Sequence, residues 1–248
     1  MNRQNQFLKS LLAAAVIGMA SSSPTMGQFI VNGGVTSIFL DQQRWDNVFL
    51  TTVDSTSGTV APVPTIDVPN DPPNLGYEIG LPISGSSDFQ FETGPFNYVE
   101  GSIQHGGIIN LTSALISGPL AFGNLSLEFD AGRIGAFASG YYIADNLALN
   151  IPLFDIASHI DISGTSTDLT IAGSGVWPSD PPVAFPNVMS LMRFSPEFVS
   201  GQSLPPILLG LDVGWIRTDA TAIPEPSSSL FLLVGGLGLL LFRNNRKK

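Results

Sequence analysis

Glycine and proline interrupt this chain along its whole length. The 248 residues include 26 glycines and 19 prolines, and both residue types are poorly tolerated inside helices. We therefore expect no long helical architecture. What remains between the interruptions is a series of short segments, and most of them alternate apolar and polar side chains with a period of two, which is typical of β-strands.

The alternation is clearest in three segments. These are residues 124–130, 147–153 and 207–215. Less regular strands are expected elsewhere, separated by Gly, Pro, Asn and Ser. Many short strands with such turns predict an all-β fold, namely an antiparallel β-sandwich or barrel-like domain. Residues 28–222 are long enough to form one such domain with its own core.

Two proline-rich stretches and one helix interrupt the strand pattern. Residues 61–74 and 177–186 contain several prolines each, so both are predicted to be extended surface loops. Ser195 followed by Pro196 is a typical helix start, with Gly201 as its end. We expect this short helix to be the only notable one in the domain.

The domain is strongly acidic. Between residues 28 and 223 there are four arginines, no lysine and nineteen acidic residues, a net charge of −15. Such a surface repels nucleic acid. The chain also has no cysteine, which excludes disulfides, thiolate metal sites and a thiol nucleophile.

The first 27 residues have the order of a secretory signal. A basic region with Arg3 and Lys9 precedes an apolar run, residues 11–20, and small residues follow. That run is too short to span a bilayer permanently. Cleavage after Ala20 or after Gly27 fits the pattern, and we favour Gly27. Residues 1–27 are therefore predicted to be a signal peptide.

The last 26 residues, 223–248, contain three ordered elements. Pro224-Glu225-Pro226 comes first, an uncharged apolar segment from Leu230 to Phe242 follows, and the chain closes with six residues from Arg243 that include four cations. As a helix, the apolar segment is about 20 Å long, a marginal span for a hydrocarbon core of about 30 Å. The terminal cations stay cytoplasmic, which leaves the domain on the outer face of the membrane.

This arrangement resembles the PEP-CTERM sorting signal of bacterial envelope proteins. The resemblance rests on Pro224, Glu225 and Pro226, the short helix, and the basic tail from Arg243. It implies a Gram-negative-type bacterium, and recognition by an exosortase, a membrane-embedded protease or transpeptidase that cuts near the motif. The two prolines hold the motif extended, as a protease cleft requires. An ordinary tail anchor that is never cut is the alternative.

The chain contains few candidate catalytic residues. His105 and His159 have no second histidine at metal-ligand spacing, so a surface or sheet-edge role is expected for both. Glu128 and Asp130 share one face of a predicted strand and could act on glycosides as a carboxylate pair, although a solvated sheet face is the simpler interpretation. We therefore expect no enzymatic activity and no resident cofactor.

Two ligand classes stay open. Calcium is a candidate because the domain is acidic, with Asp67 and Asp71 in one loop as weak candidate ligands. Sugars could stack on aromatic rings, although most of the rings are expected in the core. These are Trp45, Phe89, Phe91, Phe96, Tyr98 and Trp177.

The sequence thus predicts a non-catalytic structural or adhesive protein. It would be exported, held at the inner membrane as a precursor, and then passed to the cell envelope or extracellular matrix, with an extracellular polysaccharide as a further partner. The alternative is a carbohydrate-binding module or a carbohydrate-acting enzyme on the same anchor.

Overall fold

The computed structural model describes residues 27–63, 76–116, 120–157, 160–177, 183–186 and 189–225. These residues form an all-β, antiparallel fold, as the sequence predicted. The strands are β1 Gln28–Asp41, β2 Thr51–Ser57, β3 Gly76–Pro82, β4 Gln90–Glu92, β5 Asn97–Glu100, β6 Ile103–Gln104, β7 Ile108–Ser113, β8 Leu120–Gly123, β9 Ser126–Phe129, β10 Tyr141–Asp145, β11 Ile151–Ile156, β12 Ile160–Gly164, β13 Asp168–Trp177, β14 Val183–Pro186, β15 Ser190–Phe194 and β16 Asp212–Pro224.

Four short helical segments lie between these strands in the described part of the chain. They are α1 Gln42–Asn47, α2 Pro196–Gly201 and two 3-10 helices, Ala131–Arg133 and Pro206–Gly210. Helix α2 confirms the prediction, because the Ser195 hydroxyl accepts a hydrogen bond from the Phe198 backbone N–H and Pro196 occupies the first turn. The expectation that it would be the only helix is wrong, since Asp41 caps α1 in the same way.

The main sheet runs in the order β5-β4-β1-β16-β15-β11-β10-β9-β6. Its two end strands are consecutive in sequence, separated only by Gly101 and Ser102, so the sheet curls back on itself. Gly101 makes this connection with φ = +86°, and a Cβ there would lie 2.1 Å from the Asp88 carbonyl oxygen. A three-stranded sheet, β2-β7-β8, is separate from this path.

All three alternating segments are only partly strands, and in residues 124–130 the strand is β9, Ser126–Phe129. The segment 207–215 was predicted as one strand, but Pro206–Gly210 is a 3-10 helix and β16 begins at Asp212. Consecutive prolines at 205 and 206 start the turn, and the Leu208 N–H donates to the Pro205 carbonyl. As a result Leu208 is buried, while Ile207 and Leu209 are exposed.

The strand predicted over 147–153 begins only at Ile151. The Asp145 carboxylate accepts hydrogen bonds from the Ala148 and Leu149 backbone N–H groups, and these bonds hold residues 145–149 in a turn. Residues 183–186, predicted to be part of a loop, form β14 and pair with residues 174–177.

The core is continuous across both sheets. The most deeply buried large side chains include Phe89, Phe91, Leu127 and Leu153, and they belong to one cluster that also contains residues of the small sheet. Tight packing of these side chains fixes the relative positions of the two sheets.

Candidate functional site: the junction of the chain ends

The first and last strands of the domain lie side by side. Strand β1 pairs with β16 along nearly its whole length, from Phe29 opposite Pro224 to Leu40 opposite Gly214. One further backbone bond extends this ladder, because the Glu225 N–H donates to the Gln28 carbonyl at 2.9 Å. We call this place, formed by Gln28, Phe29, Pro224 and Glu225, the junction.

The junction contains the first two residues of the predicted sorting motif. Pro224 is the last residue of β16 and is exposed, whereas Glu225 is half-buried. Proline fits this terminal position because it has no N–H to offer to a further strand. On the other side of β1, Gln28 pairs with Glu92 of β4, so a second acidic residue lies at the same end of the sheet.

Both terminal segments of the chain depart from the junction. Strand β1 begins at Gln28, directly after the favoured cleavage position at Gly27. Strand β16 extends to Pro224, two residues into the segment assigned to the sorting signal. Gln28, one residue after Gly27, and Glu225, the last described residue, are therefore joined by one backbone hydrogen bond.

Several predicted residues lie outside the described part of the chain. They are the signal segment 1–26, Asp67, Asp71, His159, Pro226 and the apolar helix with Arg243 and the rest of its tail. Within the described ranges there is no helix of sufficient length and hydropathy for a membrane span. In the same ranges no three His, Asp or Glu side chains come together as a metal site would require.

His105 lies in the core rather than at the surface. It is 3% exposed, and its Nδ1 lies 3.0 Å from the Leu125 carbonyl, which can only accept, so Nδ1 carries the proton. Nε2 then accepts from the Thr36 hydroxyl at 2.7 Å, and Thr36 accepts from Thr218 at 2.9 Å. Burial lowers the pKa of His105 to about 4, so the ring is neutral at physiological pH and every polar atom in the chain of bonds is satisfied.

The carboxylates of Glu128 and Asp130 have separate hydrogen-bond partners. Glu128 accepts hydrogen bonds from the Ser126 and Tyr142 hydroxyls. Asp130 is exposed and caps the first 3-10 helix by accepting from the Gly132 N–H. The two acids therefore hold different elements.

A row of polar side chains crosses the outer face of the curled sheet, and sequence reasoning missed it. Successive register partners on β9, β10, β11, β15 and β16 are Glu128, Tyr142, Asp155, Arg193 and Asp212. We call these five residues the polar ladder. Each is half-buried, and Arg193 Nε donates to Asp212 at 2.8 Å. Within each strand, alternation shows only that these residues are the polar members. Which of them become neighbours across strands depends on the register of the sheet.

Arg133 joins this ladder to α2. Its guanidinium donates to Asp155 at 2.9 Å and to both oxygens of Glu197, and it lies 4.7 Å from the centre of the Tyr142 ring. The hydrogen bonds from Arg133 lower the pKa of Glu197. Desolvation raises the pKa of Asp155, and Arg133 opposes that rise. The cluster thus holds its charges in fixed pairs.

The aromatic rings considered for sugar stacking belong mainly to the core. Trp45, Phe89 and Phe91 are at most 2% exposed, so these three rings present no face to solvent. Phe96 and Tyr98 are half-buried and pack against the same core.

Protein families, curated proteins and solved structures each offer a comparison for this chain. No family model matches it, and no curated protein matches it in sequence. Among solved structures, the C-terminal domain of HtaA from Corynebacterium glutamicum aligns with a TM-score of 0.40 and 8% identity, covering 78% of this chain and 99% of that domain.

Proposed function

We propose that this chain is an exported envelope protein that is anchored and processed through its C-terminal segment. In this proposal residues 1–27 are a signal peptide, the β domain lies outside the inner membrane, and residues 223–248 are a PEP-CTERM-type sorting signal. The domain is thereby flanked by a signal helix and a short transmembrane helix. An exosortase-type enzyme of the same membrane would cut near Pro224-Glu225-Pro226.

The observation that carries the proposal is the junction. In a domain anchored through its C-terminal segment, the last strand carries the connection to the membrane and should be well paired. Strand β16 meets this requirement because it pairs with β1 up to Pro224. From Glu225, the four residues up to Ser229 span at most about 14 Å when extended. The junction would therefore lie within this distance of the membrane surface, where a membrane enzyme can reach the motif.

The backbone hydrogen bond of Glu225 indicates where the cut would fall. Because its N–H is bonded to Gln28, removal of Glu225 would take away the last hydrogen bond between the two end strands, although β4 would still pair with Gln28. A cut on the C-terminal side of Glu225 leaves the pairing of β1 and β16 intact. We therefore place the released end of the chain at or after Glu225.

The role proposed for the domain is structural or adhesive and non-catalytic. The carboxylates of the polar ladder are all bonded to arginine, tyrosine or serine side chains, an arrangement that stabilises a fold rather than activating water. The net charge of −15 also favours neutral partners, such as an uncharged polysaccharide of the matrix, over other polyanions.

Processing in the cells that make this protein tests the proposal. Replacing Glu225 with Gln, or deleting residues 243–248, should leave full-length precursor in the membrane fraction, as seen by immunoblot. Neither change removes the backbone bond from Glu225 to Gln28, so folding should be retained. Glu92→Gln is the matched control at the same end of the sheet and should be processed normally. Normal shortening and release of both altered forms would contradict the sorting assignment.

A further inference from the structure

One position of β1 interrupts its pairing with β16. Val31 lies opposite Ala222 and Gly33 lies opposite Thr221, so Asn32 is an extra residue without a register partner on β16, which makes it a β-bulge. Asn32 is exposed, whereas its two neighbours are buried or half-buried. The bulge therefore places one asparagine side chain in solvent on a strand that is otherwise well paired.

On its other side, β1 changes partners at the same place. Strand β4 pairs with β1 as far as Ile30, and β3 pairs with it from Val35 onwards. Of the strands that the structure describes, neither of these two pairs with Asn32 or Gly33. The backbone at the bulge is therefore paired from the side of β16 only, unlike the segments of β1 before and after it.

The residue after Asn32 is a glycine, and this is the one Asn–Gly pair in the sequence. Glycine has no Cβ to shield its backbone nitrogen, and it gives the chain conformational freedom. The Gly33 nitrogen is therefore free to attack Cγ of the preceding asparagine and close a five-membered ring. A side chain at position 33 would also crowd the site, because its Cβ would lie 3.2 Å from the Thr221 hydroxyl oxygen.

The hydroxyl of Thr221 is placed to assist this attack. It donates a hydrogen bond to Oδ1 of Asn32 at 2.9 Å. Negative charge develops on Oδ1 during the attack, and a donor that is already directed at this oxygen stabilises it. Among the described residues, none accepts a hydrogen bond from Nδ2 of Asn32. The nitrogen that has to leave is therefore open to solvent.

We propose that Asn32 is a site of spontaneous deamidation through a cyclic imide formed with Gly33. The Gly33 nitrogen loses its proton to water and forms a bond to Cγ of Asn32, while the bond from Cγ to Nδ2 breaks and Nδ2 takes up a proton and leaves as ammonia. Water then opens the imide. Addition at Cγ gives aspartate, and addition at the main-chain carbonyl carbon of residue 32 gives isoaspartate.

The fold can accommodate either product. Because residue 32 is the extra residue of a bulge, the additional backbone atom of isoaspartate falls where the register already shifts. The new carboxylate lies beside Thr221, whose partner on β13 is the exposed Asp168. Modification thus adds a negative charge near an existing one. The proposal is independent of the sorting assignment, since it uses only the described β domain.

Timed incubation of the full-length protein in detergent micelles tests this inference. Samples held at pH 8 and 37 °C for several weeks are digested with trypsin, and the peptide that ends at Arg44 is analysed by mass spectrometry with electron-transfer fragmentation, which distinguishes isoaspartate from aspartate. We expect both products at position 32. The rate should rise with pH, because the Gly33 nitrogen has to lose its proton.

Asn97 is the internal control for exposure. It is also exposed on a strand, but its Nδ2 donates to Glu92 at 3.0 Å and the bulky Tyr98 follows it. The converted fraction at Asn32 should be at least tenfold above that at Asn97. Exposure of an asparagine on a strand would then not be sufficient for the reaction.

Two variants and a matched control test the mechanism. Thr221→Val removes the hydroxyl but keeps the shape, and should slow conversion several-fold, less than the roughly hundredfold for an enclosed oxyanion donor because this site is exposed. Gly33→Ala should slow it at least tenfold. Thr167→Val makes the same change in the exposed turn whose carbonyl bonds to Ala222, and should leave the rate unchanged. Each variant is compared with its own urea-unfolded sample, which separates a change in folding from a change in chemistry.

Three results would overturn the inference. The first is an unmodified Asn32 in the folded protein when the urea-unfolded chain reacts, which would mean that the strand holds the Gly33 nitrogen away from Cγ. The second is aspartate without isoaspartate, which would indicate direct hydrolysis by water. The third is an equal rate at Asn97. An unchanged rate in Thr221→Val would overturn the role given to that hydroxyl.

Discussion

Arg133 forms the least exposed ion pair in the described part of the chain. Its side chain is 14% exposed and forms ion pairs with both Asp155 and Glu197. Arg133→Met would leave the half-buried Asp155 without its partner, at a cost of about 2–3 kcal/mol, somewhat below the range for fully buried pairs because Glu197 is partly solvated. Urea unfolding at pH 7 measures this cost.

Arg44→Met is the matched comparison. Arg44 also contacts two carboxylates, Asp41 and Asp212, but its side chain is 41% exposed. The loss there should be at most about 1 kcal/mol because exposed ion pairs contribute little. Equal losses for the two variants would mean that burial of the Arg133 cluster has no energetic consequence.

His105 predicts a specific dependence of stability on pH. The folded state holds the ring neutral with a pKa of about 4, whereas an unfolded histidine titrates near 6.5. As the pH falls from about 6.5 towards 4, the unfolded chain binds a proton that the folded chain does not. The free energy of unfolding therefore decreases through this window, by up to about 3 kcal/mol.

The contribution of His105 can be isolated by difference. Urea unfolding of the wild type and of His105→Gln between pH 7.5 and 4.5 should show the steeper loss in the wild type, because all other titrating groups are common to both. Parallel curves would show that His105 gains its proton as easily in the folded state as in the unfolded chain.

At the scale of elements, Gly101 decides whether the curled sheet can close. An alanine there would have to adopt φ = +86° and place its Cβ against the Asp88 carbonyl. Gly101→Ala should therefore cost about 3 kcal/mol or more. Gly85→Ala is the control, since a Cβ at Gly85 meets nothing within 4 Å. A melting temperature equally unaffected by both changes would contradict this role for Gly101.

The elements also show which local sequence signals are sufficient to predict a helix, a strand or a turn. Helix α2 could be predicted because its cap, its first-turn proline and its end are all encoded within seven residues. Residues 207–211 could not be assigned correctly from alternation, because consecutive prolines before them impose a turn that the apolar period does not reveal. The turn over residues 145–149 depends on one side chain, Asp145, that bonds to the backbone after it.

For the whole molecule, the sequence predicts the class of fold, which the structure confirms, but not which residues the fold brings together. The polar ladder combines residues between positions 128 and 212, and a chain of hydrogen bonds connects His105 with Thr36 and Thr218. No local pattern encodes such contacts, because they depend on strand register and on how the sheet curls. The junction is likewise invisible until β1 and β16 are seen to pair.

We propose that one folded domain, outside the membrane, is trimmed at both of its adjacent ends. The intact mass of the protein isolated from the cells that make it tests this claim most directly. We predict a chain that begins at Gln28 and ends at or after Glu225 without the apolar segment and basic tail. A mass that still includes residues 230–248 would instead indicate a permanent tail anchor, and an uncut N-terminus would contradict export by a cleaved signal.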